Sequence, residues 1–358
     1  MKYTEQATKI NSIAASVYAA KHIGEVASFP SVITVTTTLN CNYRCRMCYQ
    51  KSYDKAEIAW EMIEKIEDVL PFVESMQIFG GEPLLYSRFD DLVLLCRKNG
   101  VIPWTITNGS LLDKERAKLL AENGFGAVKF SMDAGTEKTY KFVRGGNFAK
   151  VMSNVAGLAL ERTRINSSFP HIELNFVAMK SNVHEIGKLA AIGANVGADQ
   201  INVFYMRAVN EESALDSVYF HQEYSDEQML KGVEMAKRSG IRITIPKLFS
   251  EACTAQEMRG STVCHDPWKY FLFGPSGDCA PCCGGYPAIG NLARSDFQEV
   301  WNGPVVQKLR TTVNTENEPK PCRECFGRKQ KSDNIFTHFS SKSLYENAAA
   351  KLSMHEPK

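Results

Sequence analysis

The sequence predicts an α/β fold, a parallel sheet with covering helices, followed by a small cysteine-rich module. Three observations point that way. Apolar, β-branched strands alternate with helical stretches about six times between Val32 and Phe204. Cysteine, glycine and polar signals recur where those strands end, the place where βα-barrels and open α/β sheets keep their chemistry. Near Pro246 the texture changes, and from Cys264 onward the chain is rich in Gly, Pro and Cys, as a metal-stapled module is. Parallel units cross over right-handed, so the sheet is a barrel, complete or partial, or an open doubly wound sheet.

In chain order, Thr4 to Ala27 reads as an amphipathic helix, with Ile10, Ile13, Ala14 and Val17 at helical spacing, ended by Pro30. Val32 to Thr37 is a β-branched strand, and Cys41, Cys45 and Cys48 follow it directly. A helix over Ala56 to Leu70 leads to the short strand Met76–Phe79, which runs into Gly80, Gly81, Glu82 and Pro83. Helix Arg88 to Lys98 precedes strand Pro103–Thr107, closed by Asn108 and Gly109. Helix Lys114 to Glu122 precedes strand Ala127–Ser131, closed by Met132 and Asp133. A helical stretch to about Glu161 leads to strand Ile172–Ala178, and helix Val183 to Ile192 to strand Gln200–Phe204. Helix Asp226 to Lys237 and strand Ile241–Ile245 close this region. Beyond it, Tyr270–Phe273 and Asp278–Ala280 form a hairpin across Gly274–Gly277. A helix over Phe297 to Arg310 then leads to Cys322 and Cys325. No strand-to-helix turn carries G-x-G-x-x-G, which disfavours a dinucleotide fold.

The chain has 358 residues, enough for one large and one small domain. Its formal charge of +2 creates no global field for nucleic acid or an anionic membrane. The amino-terminal residues are polar and no apolar run is long enough to span a bilayer. Eleven cysteines without a secretion signal argue for metal or redox use in a reducing compartment, by default the cytoplasm.

Cys41, Cys45 and Cys48 have the spacing C-x-x-x-C-x-x-C. Three thiolates on one short loop can hold three irons of a cubane 4Fe–4S cluster and leave the fourth open, the mark of a metal site that does chemistry. Structural zinc wants a fourth Cys or His nearby, and the nearest upstream candidate is His22. Cys279-x-x-Cys282 with Cys322-x-x-Cys325 would by itself make a four-cysteine zinc ribbon. Cys96 falls in an apolar helix and reads as core. Cys253 has no partner spacing and is an inert thiol or a hydrogen donor, and His265 is a reserve ligand beside Cys264. Lys320, Arg323, Arg328, Lys329 and Lys331 surround the last cysteine pair and offset thiolate charge or are simply solvated.

The cysteine triad and Gly80-Gly81-Glu82-Pro83, on successive strand-to-helix loops, resemble the radical S-adenosylmethionine (SAM) superfamily over about Val32 to Phe326. The resemblance implies a partial (β/α)6 TIM-like barrel. It implies that Cys41, Cys45 and Cys48 hold a 4Fe–4S cluster whose open iron chelates SAM, and that reductive cleavage yields a 5′-deoxyadenosyl radical. It places Gly80, Gly81, Glu82 and Pro83 at the SAM amino group, Ser131 and Asp133 near the ribose, and Arg144 at the SAM carboxylate. Met47 stands where an aromatic residue is frequent, with its backbone at the adenine. Cys264, Cys282, Cys322 and Cys325 resemble the ligands of a SPASM or twitch extension. With no cysteine beyond Cys325, that implies the shortened form with one closed auxiliary 4Fe–4S cluster, Cys279 or Cys283 being possible substitutes. The organisation expected is an amino-terminal helix (1–28), the barrel (29–245), the auxiliary module (246–328) and a polar tail (329–358).

The activity so implied is an oxidoreductase that takes a substrate hydrogen and passes the second electron to the auxiliary cluster, fed by a flavodoxin- or ferredoxin-type donor. Only about forty residues precede Cys41, a helix and the first strand, too few for a leader-binding module, which favours a small natural-product or sugar-like molecule over a peptide. The alternative is a peptide-modifying maturase or epimerase. A non-catalytic electron carrier would need no SAM site, and the Gly80–Pro83 motif argues against it.

Overall fold

The computed structural model describes residues 2–50, 52–251, 263–325 and 342–353. Cys253, Arg328, Lys329 and Lys331 lie outside the described residues. One ten-stranded sheet runs through the molecule. β1 (Val32–Thr36), β2 (Ser75–Phe79), β3 (Ile102–Thr107), β4 (Ala127–Ser131), β5 (His171–Ala178), β6 (Gln200–Tyr205) and β7 (Arg242–Thr244) are parallel and neighbours in sequence order. Because the order never reverses, right-handed crossovers put the connecting helices on one face, and the sheet curls into a partial TIM-like barrel instead of a doubly wound layer.

That helix-covered face is the core. Ile33, Val35, Ile78, Phe130, Leu174 and Phe176 are fully buried there among helix residues such as Leu92, Leu120 and Leu189. The crossover helices are α2 (Trp60–Glu64), α3 (Phe89–Asn99), α4 (Lys114–Glu122), α5 (Glu137–Arg144), α6 (Phe148–Arg164) and α7 (Ile186–Asn195). α8 (Glu211–Leu215) and α9 (Gln222–Ser239) lie between β6 and β7. Local chemistry sets their ends. Asp113 and Asn147 accept hydrogen bonds from Arg116 N and Lys150 N at the starts of α4 and α6, and left-handed Gly100 and Gly240 close α3 and α9.

Several predicted helices are shorter or divided, each for a local reason. The first, α1, spans Lys2–Ala20 and stops before His22, whose φ is +51°. The stretch over 56–70 is α2 followed by a 3₁₀ turn, Glu67–Phe72, that contains Pro71. The stretch ending near Glu161 is two helices, because Gly145 adopts φ +77° as the cap of α5 and Asn147 restarts the chain as the cap of α6. The predicted helix 297–310 breaks at Gly303 into α11 (Phe297–Trp301) and α12 (Pro304–Thr312); α10 (Asp266–Lys269) precedes them.

The predicted hairpin is present as β8 (Tyr270–Phe273) and β9 (Asp278–Ala280), extended by β10 (Gly290–Asn291). β8 pairs in parallel with β1, so the cysteine-rich region continues the barrel sheet beyond its first strand. Buried Arg310 on α12 fastens it further, donating to Pro267 O (2.8 Å), Gly24 O (2.9 Å) and Asn302 Oδ1 (3.0 Å). Trp268 and Trp301 donate their indole N–H groups to Ile23 O and Ser28 O, each at 2.8 Å. Two short helices complete the described chain, α13 (Lys320–Arg323) and α14 (Lys342–Ser353), the latter packed on α8. Among the described residues no helix is long and apolar enough to cross a membrane.

Candidate active site at the carboxyl rim of the barrel

The Cys41–Cys48 loop leaves β1 at the carboxyl rim and is tied to its neighbours on three sides. Asn42 donates to Ser110 Oγ (2.9 Å) and accepts from Asn108 Nδ2 (2.8 Å), beyond β3. Arg46 N donates to Val143 O (3.0 Å) at the end of α5, and the Arg46 guanidinium pairs with Glu212 of α8 at 2.8 Å. The loop after β2 closes on it from the fourth side, Gly81 N donating to Thr38 O (2.9 Å) and Glu82 N to Asn40 O (2.8 Å). Glycine is required here by close approach, since a Cβ on Gly81 would stand 2.4 Å from Asn40 O. The Tyr43 ring likewise fills the space that a Cβ on Gly146 would occupy.

Glu82 is 1% exposed. Its carboxylate accepts from Thr107 Oγ1 (2.6 Å), Asn108 N (2.8 Å) and Leu84 N (3.1 Å). Burial pushes its carboxyl up and those bonds offset part of the shift. A carboxylate has about four acceptor positions, so one remains for a cationic amine. Asp133 is also 1% exposed and holds left-handed backbone at φ +56°. Its Oδ1 accepts from Val177 N and its Oδ2 from Arg144 Nη1, both at 2.6 Å. Arg144 thus faces Asp133, while its buried Nε has no hydrogen-bond partner. Burial opposes the guanidinium charge, yet adjacent Cys45 and Asp133 hold its pKa above the ordinary value. Ser131, the last residue of β4, is half-buried opposite Asn175. Met47 packs with Val143, Met179 and Met206 in a small apolar cluster apart from the main core.

Cys41, Cys45 and Cys48 are half-buried, and burial pushes the Cys45 thiol up to about 11. Cys45 therefore holds a proton that metal binding would release, with Arg144 beside it to offset thiolate charge. Among the described residues no three His, Cys, Asp or Glu side chains converge on a single-ion position. The fit to an iron–sulfur cluster therefore rests on the donor set itself: three thiols on one loop, beside a buried cation whose Nε is unused.

In the second cysteine region, the Cys282 and Cys325 sulfurs lie 3.6 and 2.8 Å from where a Cβ on Gly284 would stand. Burial, then neighbouring Cys322 and Cys282, pushes the Tyr286 phenol up, so three of the four expected ligands share one neighbourhood. Cys264 is held by Asn314, which accepts from its N–H and donates to its C=O, both at 2.9 Å. Cys279 is fully buried in β9 and belongs to the core, while Cys283 is exposed. Cys96 is core as well. The Asp133–Arg144 pair and the Asn42–Asn108 link were not legible in sequence. They join residues 11 and 66 positions apart in the chain, and only the asparagine closing β3 hinted at either.

The chain matches the radical SAM superfamily over residues 35–163 and an iron–sulfur cluster-binding domain, SPASM, over 264–326. It belongs to the radical SAM superfamily, as an enzyme of the subset with a C-terminal SPASM domain. Its cofactors are accordingly a 4Fe–4S cluster, SAM and auxiliary iron–sulfur. The tungsten-containing aldehyde ferredoxin oxidoreductase cofactor-modifying protein of Pyrococcus furiosus is 32% identical over 51% of this chain and 53% of its own length. The chain thus spans about half of that relative. The PqqA peptide cyclase of Streptomyces rochei is 24% identical over 83% of this chain and 81% of its own. Among solved structures, SuiB of Streptococcus suis bound to precursor peptide SuiA superposes with a TM-score of 0.62 at 17% identity, covering 88% of this chain and 73% of SuiB. That likeness is one of fold.

Proposed function

We propose that this chain is a peptide-modifying radical SAM enzyme. What carries the reading is the arrangement at the rim: the Cys41–Cys48 loop is fixed between Glu82 and the Arg144–Asp133 pair, so an anchor for an amine and one for a carboxylate flank a three-thiol donor set. A 4Fe–4S cluster and SAM held there would supply the radical chemistry that opens an unactivated C–H bond. The chain's own residues position SAM: Glu82 takes the amino group, Arg144 through its unused Nε takes the carboxylate, and Met47 with Met179 lines the adenine side. Ser131 stands on the ribose side, and Asp133 orients Arg144. Cys264, Cys282, Cys322 and Cys325 would hold an auxiliary cluster, which would supply an acceptor for the substrate's second electron, and a flavodoxin- or ferredoxin-type protein would supply the first.

The peptide substrate is supported by the likeness to a peptide cyclase along most of the chain. It replaces the sugar-like molecule favoured by the sequence alone. That preference rested on the short stretch before Cys41, and a recognition module can equally sit on a separate chain. The test uses short open reading frames beside the gene, synthesised as peptides and incubated with SAM, reductant and reconstituted enzyme. A peptide lighter by two hydrogen atoms, formed with 5′-deoxyadenosine, is the expected product. Unchanged mass with solvent deuterium incorporated would make the reaction an epimerisation, and conversion of none would remove the peptide assignment.

A further inference from the structure

The face of the sheet turned away from the helices is not filled by core. A parallel sheet covered on both faces reads as continuous apolar strands, but here buried and half-buried residues alternate along β2, β4 and β5. The half-buried set points into the barrel and is mostly polar, Gln77, Lys129, Ser131, Glu173 and Asn175 standing among Phe79, Ala127 and Val177. Thr34 Oγ1 meets Tyr270 OH at 2.7 Å and Gln77 Oε1 at 3.2 Å. Further round, Lys129 pairs with Glu173 at 3.1 Å, their side chains 30% and 18% exposed, and Lys129 also lies over the Trp104 ring at 5.2 Å. Asn202 donates to Glu173 Oε2 at 2.7 Å. An ion pair taken from water into a barrel wall costs more than an apolar pair of similar volume, so folding does not call for it. Lys129 is two residues below Ser131 on the same face of β4, which puts the pair about 6.6 Å beneath the rim.

Resting on the peptide reading above, we infer that this trough is the substrate seat and that Lys129, Glu173 and Trp104 select a neutral, amide-rich peptide segment. The charge pattern carries the choice. A triphosphate or a polycarboxylate needs unpaired cations in good geometry, whereas Lys129 is committed to Glu173 and shielded by an indole. What the trough offers instead is the Gln77 amide and the remaining donor and acceptor positions of the neutral Lys–Glu pair, beside one flat apolar ring. A peptide presents one donor and one acceptor per residue, which is the matching surface.

The test is affinity selection by the SAM-loaded, reconstituted enzyme from a pool of short synthetic peptides of randomised sequence, with GTP and coproporphyrin III as polyanionic probes. The parent is expected to retain peptides and neither polyanion. A Lys129→Met, Glu173→Leu double variant should retain at least about tenfold fewer, with iron content and SAM affinity reporting that it has folded. Should it not fold, Trp104→Leu on the same face carries the same expectation without a charge change. Equal retention by parent and folded variant would remove the trough as the seat while leaving peptide modification standing. Retention of GTP or coproporphyrin III in place of peptides, or of nothing, would overturn the inference together with the peptide reading.

Discussion

At the scale of single residues the account turns on Arg144 and Asp133. Two charges this buried are tolerated because they face each other at 2.6 Å and Val177 N satisfies the other carboxylate oxygen. Removing one member strands the other, at roughly 3–5 kcal/mol, whereas replacing both with apolar or neutral groups costs much less. Arg144→Ala should therefore lose about that much stability in denaturant unfolding, and the Asp133→Asn, Arg144→Met pair distinctly less. Both should bind SAM more weakly by calorimetry. Unaltered SAM affinity in Arg144→Ala would take Arg144 out of the site. The sequence led to both residues but not to their contact. Family spacing placed Asp133 by the ribose and Arg144 by the carboxylate, and a separation of eleven positions along the chain hides that the two meet. Lys129 and Glu173 carry no signal in the sequence, because one polar residue in a strand looks like any solvated side; only the register, Lys129 opposite Glu173, makes them a pair.

At the scale of elements, the strands were legible nearly to the residue because β-branched runs are short and bounded. Helix ends were not, since caps such as left-handed Gly145 and breaks such as Gly303 are local events that an apolar period runs straight through. The two motif loops show what their glycines are for. The Gly80–Pro83 loop runs against the backbone that enters the cysteine loop, with Gly81 N on Thr38 O and Glu82 N on Asn40 O. Gly81→Ala would drive a methyl group into Asn40 O, immediately before Cys41, and backbone on both sides leaves little room to yield. Iron and sulfide per chain should then fall from about eight to about four, only the auxiliary cluster assembling, with helix content by circular dichroism unchanged. A full complement in Gly81→Ala would mean that the cysteine loop does not depend on this contact.

At the scale of the whole molecule, the cysteine-rich region is no appendage. Sequence texture marks it as a separate module, yet β8 lies beside β1 in the same sheet, and Arg310, Trp268 and Trp301 bind it to residues 23–28. Long-range pairing of this kind leaves no trace in local pattern, which is why the hairpin could be read and its docking could not. A Cys322→Ala, Cys325→Ala variant should lose the auxiliary cluster, iron falling from about eight to about four per chain, and with it the oxidised peptide. Iron that stays near eight would exclude these cysteines as ligands. The central claim, that the rim loop holds a SAM-cleaving cluster, has one direct test: anaerobic incubation of reconstituted, reduced enzyme with SAM alone, and quantitation of 5′-deoxyadenosine and methionine. The account predicts both products in equal amounts from the parent and neither from Cys45→Ala. SAM left intact by fully iron-loaded parent, or cleaved equally by Cys45→Ala, would contradict it.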